Sequence, residues 1–368
     1  MTGWTDLPKE LLSLILSNLF GLDKYTFSLV CKSWNAASAI SPYRHSPYLM
    51  SYQWNRAWKF FQYDLIFDKK FPELPKAHIR CSKYGWLLMS GFAFSLYFFD
   101  PFNGRRIYLP KSDFRQAITC FFHEPTSPDC FIVGMANSVD GLSIEIGVLN
   151  HGENKWKKYT YHSKTPFYVS ICNPALHRGQ LYCLDVAGNI ATFDINNHGS
   201  ETSWIVHTKC LSPPRLRQKL RQHFLIKVCG ILFAVLLAHE ERKVNVFKLL
   251  EPDMRWEVVE DLGDKMFYVS HTACLAHINP QTSMANKIYF PKFHGDNGVF
   301  YCLKTRKYHS FKGDYSSKKS YGLNDNDFAT WIMPTPFEEF SRDFSWCPEV
   351  DDEIPCINLD KGSGDIRI

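Results

Sequence analysis

The chain has 368 residues, of which 45% are hydrophobic and 21% are charged, a composition that excludes wholesale disorder. Its net charge of +5 at pH 7 is too small to indicate nucleic-acid binding by itself. The first residues, MTGWTDLPKE, lack a basic start followed by an apolar run, so we expect no signal peptide. The 12 cysteines include no CxxC pair, which indicates reduced thiols and a cytosolic or nuclear protein.

Residues 5–38 predict a helical unit that begins at Asp6 as a cap, with Pro8 in the first turn. Within 24–39, KYTFSLVCKSWNAASA predicts one helix, or two with a break near Val30-Cys31. In a helix over 8–19, the apolar side chains would spread over roughly 200° of the circumference, whereas one core requires a stripe of about 100°. These side chains are Leu7, Leu11, Leu12, Leu14, Ile15, Leu16 and Leu19.

The surplus of apolar surface in this first helix has two explanations. Either the helix lies between its own small bundle and the rest of the chain, or one flank binds another protein. The predicted domain boundaries favour the second explanation, since they separate a helical module at 1–40 from the remainder by a proline-containing linker at 41–57. About thirty residues can hardly bury so wide an apolar surface alone.

From about residue 76 the pattern changes to short strands that repeat at a period near 50 residues. Each unit ends in an aromatic residue after a polar turn, at Tyr108, Trp156, Trp204, Trp256 and Tyr308. Four strands per unit at this period are typical of a kelch-like β-propeller. Five units are complete, and WKFFQYDLIF (58–67) with FATWIMP (328–334) could form a sixth from both ends. The predicted fold is mainly β, a propeller of five to six four-stranded blades over 58–340.

One cysteine precedes the hairpin of each unit, and the five positions are Cys81, Cys120, Cys172, Cys229 and Cys274. We expect these small side chains to pack near a crowded central axis. A metal ring is the alternative, but their spacing does not resemble compact zinc-ligand motifs. We therefore predict no metal and no cofactor.

The remaining segments do not indicate catalysis, a membrane or a nucleic acid. Phosphate-binding, zinc-protease and serine-hydrolase motifs are missing from the sequence. The apolar run LIKVCGILFAVLLAH (225–239) contains Lys227 and is too short to span a bilayer, so it predicts two buried strands. Residues 338–368 hold nine carboxylates and three basic side chains. We expect 341–368 to be a solvated acidic tail, or to fold back on the basic stretch 209–227.

The helical residues resemble the F-box motif. The similarity is carried by Leu7-Pro8, Glu10-Leu11-Leu12, Ile15-Leu16, Leu19, Leu29-Val30-Cys31-Lys32 and Trp34. Downstream, GWLLMS (85–90), FFDPFNGRRIYLP (98–110) and FATWIMP resemble the C-terminal domain of a large plant F-box group, a domain of unknown function that is likened to kelch propellers. The kelch double glycine is missing, because GFAFSL (91–96) and VAGNIA (186–191) carry single glycines.

This resemblance implies a non-catalytic subunit of a Skp–cullin–F-box ubiquitin ligase. Its F-box would bind the Skp-type adaptor and, through it, the cullin–RING ligase, while one rim of the propeller would bind an unknown protein substrate for ubiquitination. The implied adaptor-facing residues are Leu7, Pro8, Leu11, Ile15, Leu16 and Leu19. The implied residues that complete this surface or hold the helices together are Val30, Cys31, Lys32 and Trp34.

The sequence is also compatible with two other functions. One is a propeller enzyme that acts on a sugar or another small molecule, with the helices as an accessory. The other is a scaffold that binds the adaptor without delivering a substrate for degradation. Trp34 is expected to serve as a core anchor more than as an adaptor contact.

Overall fold

The structure of the chain is a computed structural model. It describes residues 3–17, 27–28, 30–40, 47–52, 57–62, 65–70, 77–91, 95–112, 116–170, 172–185, 188–207, 220–238, 244–251, 253–278, 285–294, 297–310, 324–325, 329–334 and 345–347.

The N-terminal region forms the predicted helical module. A 3-10 turn at Trp4–Asp6 leads into α1 (Lys9–Ser17), and α2 spans Lys32–Ile40. Pro8 precedes α1, where its missing N–H costs nothing, and its carbonyl accepts the first helical bond from Leu12 N at 3.1 Å. Asp6 accepts a bond from Gly3 N at 3.1 Å and so closes the 3-10 turn, whereas the sequence predicted that it caps α1. The chain breaks before α2 at Val30-Cys31, which settles the prediction in favour of a break.

The remainder of the described chain is built from strands in six sheets, which we call blades 1 to 6. Blades 2 to 5 are four-stranded antiparallel sheets of consecutive strands, as the repeat predicts. Blade 2 contains β4 (His78–Lys83), β5 (Trp86–Ser90), β6 (Leu96–Asp100) and β7 (Arg105–Tyr108). Blade 3 contains β8 (Ile118–Phe122), β9 (Phe131–Asn137), β10 (Ser143–Asn150) and β11 (Lys157–His162).

Blades 4 and 5 follow the same order. Blade 4 contains β12 (Ala175–His177), β13 (Gln180–Leu184), β14 (Ile190–Asp194) and β15 (Trp204–His207). Blade 5 contains β16 (Leu220–Val228), β17 (Ile231–Ala238), β18 (Val244–Leu250) and β19 (Arg255–Val259).

Blade 6 departs from the four-stranded pattern. It contains β20 (Lys265–Val269), β21 (Cys274–Ile278), β22 (Lys287–His294), β23 (Asn297–Cys302) and β24 (Lys307–Ser310), with β25 (Asn324–Asp325) paired to β22. The extra strand arises because β20 pairs with β22 in parallel, which leaves β21 at the inner edge of the sheet. There β21 contacts β16 of blade 5.

Blade 1 joins the two ends of the propeller, as the sequence predicted. It contains β1 (Tyr48–Tyr52), β2 (Ala57–Gln62) and β3 (Leu65–Lys70), and β26 (Thr330–Ile332) completes it. In the antiparallel pairing of β26 with β1, Leu49 lies opposite Trp331 and Met50 opposite Thr330. The linker predicted over 41–57 is therefore wrong for the residues of β1, which form hydrogen-bonded sheet. Strand β1 is paired on both sides, with the neighbouring β2 and with β26 from the other end of the chain.

Both faces of each blade pack against a neighbour, which explains the long apolar run in blade 5. In β17, Phe233, Val235 and Leu237 pack in a cluster with blade 6. The alternate residues Leu232 and Ala234 pack in a cluster with blade 4. The predicted pair of buried strands is confirmed as the β16–β17 hairpin, and within the described residues no helix could span a membrane.

Four of the five cysteines predicted to lie near the axis are buried or half-buried, and Cys229 is the exception. Cys81 and Cys120 are fully buried on the innermost strands β4 and β8, and Cys172 is buried just before β12. Burial raises the pKa of the Cys120 thiol to about 12, so this side chain is a protonated packing group. Cys274 is half-buried on β21. Cys229 is exposed in the β16–β17 turn with φ 51°, so its predicted axial position is wrong.

A polar contact across the axis ties four blades together. The carbonyl oxygen of Thr272, in the β20–β21 turn of blade 6, accepts bonds from Ser82 N of blade 2 at 2.7 Å and from Asn173 Nδ2 beside blade 4 at 3.0 Å. Thr272 Oγ1 donates to Thr330 Oγ1 of blade 1 at 2.7 Å. The described residues contain no cluster of histidine, cysteine or carboxylate side chains that could hold a metal ion.

Two residues of the predicted solvated tail, Trp346 and Cys347, are buried. Trp346 is 1% exposed, and its ring centroid lies 5.7 Å from that of Phe98 and 5.0 Å from that of His151. Cys347 is buried in the same cluster, which joins blades 2 and 3. The prediction of a solvated segment over 341–368 is therefore wrong at Trp346 and Cys347. The carboxylates at 349–365, and the part of the basic stretch at 209–219, lie outside the described residues.

Candidate functional site

The helical module has a small core of its own, which we call the module core. Leu12, Leu16, Phe27 and Ala37 are each at most 2% exposed and pack together. Leu7, Ile15 and Trp34 pack against them and are partly buried. All seven residues belong to the module, so one side of α1 is covered by α2 and by the segment before it.

Trp34 anchors the start of the chain to α2. Its indole Nε1 donates to the carbonyl oxygen of Trp4 at 2.9 Å, and its ring lies 4.5 Å from the ring of Phe27. The neighbouring Ser33 Oγ donates to the carbonyl oxygen of Thr5 at 3.0 Å. Two side chains of α2 therefore hold the 3-10 turn in place, as expected of a tryptophan that serves as a core anchor.

The other side of α1 is open. Leu11 is 48% exposed and Leu14 is 60% exposed, and the two positions lie roughly 60° apart around the helix axis. Leu12 and Leu16 lie more than about 90° from Leu11, towards the module core. In the flanking segments Trp4 is 75% and Val30 is 52% exposed. We call Trp4, Leu11, Leu14 and Val30 the open apolar residues.

Exposure of these apolar side chains to water is unfavourable in free energy. Full burial of a leucine or valine side chain stabilises a protein by about 1.5–3 kcal/mol. A partner that covered the open apolar residues would therefore recover roughly 1 kcal/mol for each half-exposed aliphatic side chain. An isolated exposed leucine is ordinary, but Leu11 and Leu14 lie on the same stripe of one short helix.

The residues implied by the F-box resemblance divide into three groups in the structure. Pro8, Leu11, Val30 and Lys32 are exposed, while Leu7, Ile15, Cys31 and Trp34 are half-buried. Leu16 is 2% exposed in the module core, so it supports the surface from beneath and does not face outward. Leu19 lies outside the described residues.

The implied set also omits two exposed residues, Trp4 and Leu14. A signal for Leu14 was present in the sequence, because it lies three positions after Leu11 and therefore on the same side of a helix. Trp4 has no comparable periodic signal, since it precedes the helix.

Cys31 occupies the position before α2 and stabilises the start of this helix. Its carbonyl oxygen accepts from Asn35 N at 2.9 Å, and its Sγ lies 3.0 Å from Ser33 Oγ. The hydrogen bond with the Ser33 side chain, followed by that with the backbone of Trp34, lowers the pKa of the Cys31 thiol. The side chain thus acts as a local cap next to the exposed Val30 and Lys32.

Comparison with known proteins also separates the helical module from the propeller blades. A family model described as F-box-like matches residues 4–45, and one described as KIB1-4 beta-propeller matches residues 60–316. The first region contains the helical module, and the second contains all of blades 2 to 5 and most of blade 6.

Similar proteins of Arabidopsis thaliana extend over both regions. An F-box/kelch-repeat protein is 30% identical over 346 residues, which are 90% of this chain and 94% of that protein. An F-box protein is 27% identical over 79% of this chain and 76% of its own length. A second F-box/kelch-repeat protein is 29% identical over 68% of this chain and 70% of its own length.

Proposed function

Because the chain belongs to the family of F-box proteins that carry a KIB1-4 β-propeller, we propose that it is the substrate-recognition subunit of a Skp–cullin–F-box ubiquitin ligase. The helical module binds the Skp-type adaptor, and the propeller binds a protein substrate. The single observation that supports this role most strongly is the exposure of Leu11 and Leu14 on the side of α1 that faces away from the module core.

The mechanism requires proximity and no bond chemistry by this chain. A subunit that holds the substrate through one domain and the ligase through another raises the local concentration of substrate lysines near the ubiquitin-charged enzyme. The Cys120 thiol at the propeller axis is protonated and serves as a packing group. A cytosolic or nuclear location fits the role, since the cullin–RING machinery acts there.

The adaptor contact can be tested with a double substitution, Leu11→Asp with Val30→Asp. Both side chains are about half exposed and neither belongs to the module core, so the helices tolerate the change. A hydrophobic anchor at the centre of an interface contributes about 2 kcal/mol or more, and 1.4 kcal/mol corresponds to tenfold in affinity. We expect the double variant to bind a purified Skp-type adaptor at least about 100-fold more weakly than the unsubstituted chain, measured by titration.

Two controls make this result specific. Val139→Asp places the same charge at a side chain that is 101% exposed in the β9–β10 turn of the propeller, and it should leave adaptor affinity unchanged. Leu11→Asp with Ile15→Asp should also abolish adaptor binding, but Ile15 packs on the module core, so its loss of binding must be compared with helix content by circular dichroism. Undiminished adaptor binding by the Leu11/Val30 variant would contradict the proposed function.

A further inference from the structure

A cleft of about 260 Å³ lies between blades 4 and 5. It is bordered by the β12–β13 turn of blade 4 and by the β16–β17 turn and the end of β18 in blade 5. These turns belong to the same rim of the propeller, because successive hairpin turns of antiparallel blades alternate between the two rims. The cleft is therefore a concave feature on a surface that carries loops.

A partly buried carboxylate forms one wall of the cleft and joins the two blades. Glu251 of blade 5 accepts from Tyr182 Oη at 2.6 Å, lies 3.2 Å from His177 Nε2 and pairs with Arg178 Nη1 at 2.9 Å, all in blade 4. Burial by itself raises the pKa of Glu251, but the hydrogen bonds from Tyr182 and His177 and the charges of His177 and Arg178 outweigh it, so the pKa is lowered. Glu251 is thus held as a carboxylate.

This arrangement fixes Arg178 at the mouth of the cleft. One guanidinium nitrogen contacts Glu251, while the side chain as a whole is 73% exposed. A guanidinium has five N–H donors in a rigid fork, so donors remain for a second carboxylate. Lys227 reaches from blade 5 to the carbonyl oxygen of Leu176 at 2.9 Å, which places a second cation close to the same turn. Lys248 also lines the cleft and pairs with Glu257 at 2.9 Å, so Arg178, Lys227 and Lys248 exceed Glu251 and Glu257 by one positive charge.

The inner part of the cleft is apolar. Leu232 and Leu249 line it and are at most 5% exposed, so their side chains form a fixed floor. Ile231 also lines the cleft and is 41% exposed at the start of β17. The space suits one or two aliphatic side chains, and the cations among its lining residues are Arg178 and Lys248.

We propose that this cleft docks an extended acidic segment of the substrate, with an aliphatic side chain on Leu232 and Leu249 and an adjacent Asp or Glu on Arg178. The proposal rests on the function proposed above, since it assigns a substrate class to the propeller. Charge complementarity and the apolar floor select this class over basic or wholly polar segments. A preorganised arginine loses little freedom on binding, because Glu251 already restrains it.

The test uses the full chain, with and without a purified Skp-type adaptor, and a randomised library of eight-residue peptides. We expect selected peptides to be enriched in Asp or Glu beside Leu, Ile or Val. The Arg178→Gln variant should bind the selected peptides about tenfold more weakly. Arg306→Gln is the matched control: Arg306 is a turn residue with φ 55°, is 62% exposed and pairs with Glu260 at 3.0 Å, yet lies in blade 6 outside the cleft. It should bind the peptides as the unsubstituted chain does.

A second pair of variants tests the apolar part. Ile231→Ser should weaken selection for the aliphatic residue and keep selection for the acid, whereas Val258→Ser, at an exposed position on β19, should change neither. A library without acidic enrichment, or equal weakening by Arg178→Gln and Arg306→Gln, would overturn the proposal. Enrichment that appears only after removal of 348–368 would also overturn it, because the chain's own acidic segment would then be the occupant.

The two proposals fail separately in this experiment. Adaptor retention is measured on the same samples, and neither Arg178 nor Ile231 belongs to the helical module. Retained adaptor without acidic enrichment would refute the cleft proposal alone. Loss of adaptor binding with acidic enrichment intact would refute the ligase function and leave the peptide specificity of the cleft.

Discussion

Replacement of Trp331 by alanine is expected to lower the free energy of unfolding by about 3–5 kcal/mol. Trp331 lies on β26, the strand that closes the ring, and is 1% exposed. Its ring centroid lies 5.0 Å from that of Tyr268 in an edge-to-face arrangement, and its Nε1 donates to the carbonyl oxygen of Val269 at 3.2 Å. The substitution would remove a large side chain between blades 1 and 6 and leave a buried acceptor without its donor.

Urea unfolding followed by tyrosine and tryptophan fluorescence measures this loss. Trp4→Ala is the matched control, because Trp4 is 75% exposed and its contribution to the module is a backbone carbonyl that alanine retains. That control should change stability by less than about 0.5 kcal/mol. A loss below about 1 kcal/mol for Trp331→Ala would show that β26 does not close the ring.

Replacement of Trp346 by alanine should cost a similar amount, about 3–5 kcal/mol. Trp346 fills space between blades 2 and 3 beside Phe98 and His151. Among the described residues its Nε1 has no hydrogen-bond partner, so its contribution comes from packing. Trp346→Phe, which keeps an aromatic ring and loses the N–H group, should therefore cost less than Trp346→Ala.

Truncation gives an independent measure of the same contact. A chain that ends at residue 344 should lose about as much stability as Trp346→Ala, whereas a chain that ends at Cys347 should keep the packing and unfold like the full chain. Equal stability of the two truncated chains would contradict the docking of Trp346. The burial of His151, which lowers its pKa, should also diminish when Trp346 is removed, and histidine NMR titration would detect this.

The repeating parts of the fold could be predicted from the sequence, because each blade encodes its own strands and turns. The period of the aromatics gave the blade boundaries, and the apolar run of blade 5 indicated strands that are buried on both faces. The participation of both chain ends in one blade followed from counting incomplete units. The surplus of apolar surface on α1 could be predicted, because the helical period fixes the angle of each side chain and so the width of the apolar stripe.

Contacts that depend on distant residues could not be predicted in the same way. Trp346 lies in an acidic segment whose composition predicts solvation, and only blades 2 and 3 provide the space that it fills. The sequence could not decide which half of the α1 stripe faces inward, since that depends on where Phe27 and Ala37 pack. The adaptor-facing residues were taken from the F-box resemblance and not from the helical period, and that set included Leu16 and omitted Leu14.

Local sequence patterns also did not predict the conformation of turns or the side-chain contacts between blades. Cys229 has the spacing of the axial cysteines but is exposed in the two-residue turn between β16 and β17, with positive φ. The cleft had no sequence signal, because His177 and Arg178 meet Glu251 across more than 70 residues of chain. Only the packing of blade 4 against blade 5 brings these side chains together.

If a Skp-type adaptor covers the open apolar residues of the helical module, hydrogen–deuterium exchange of the full chain will show protection there. With saturating adaptor, amides in 4–17 and 30–40 should exchange at least tenfold more slowly, while those in blades 3 to 5 stay unchanged. Unchanged exchange in both helical stretches, or slowing confined to the blades, would contradict this mode of adaptor binding.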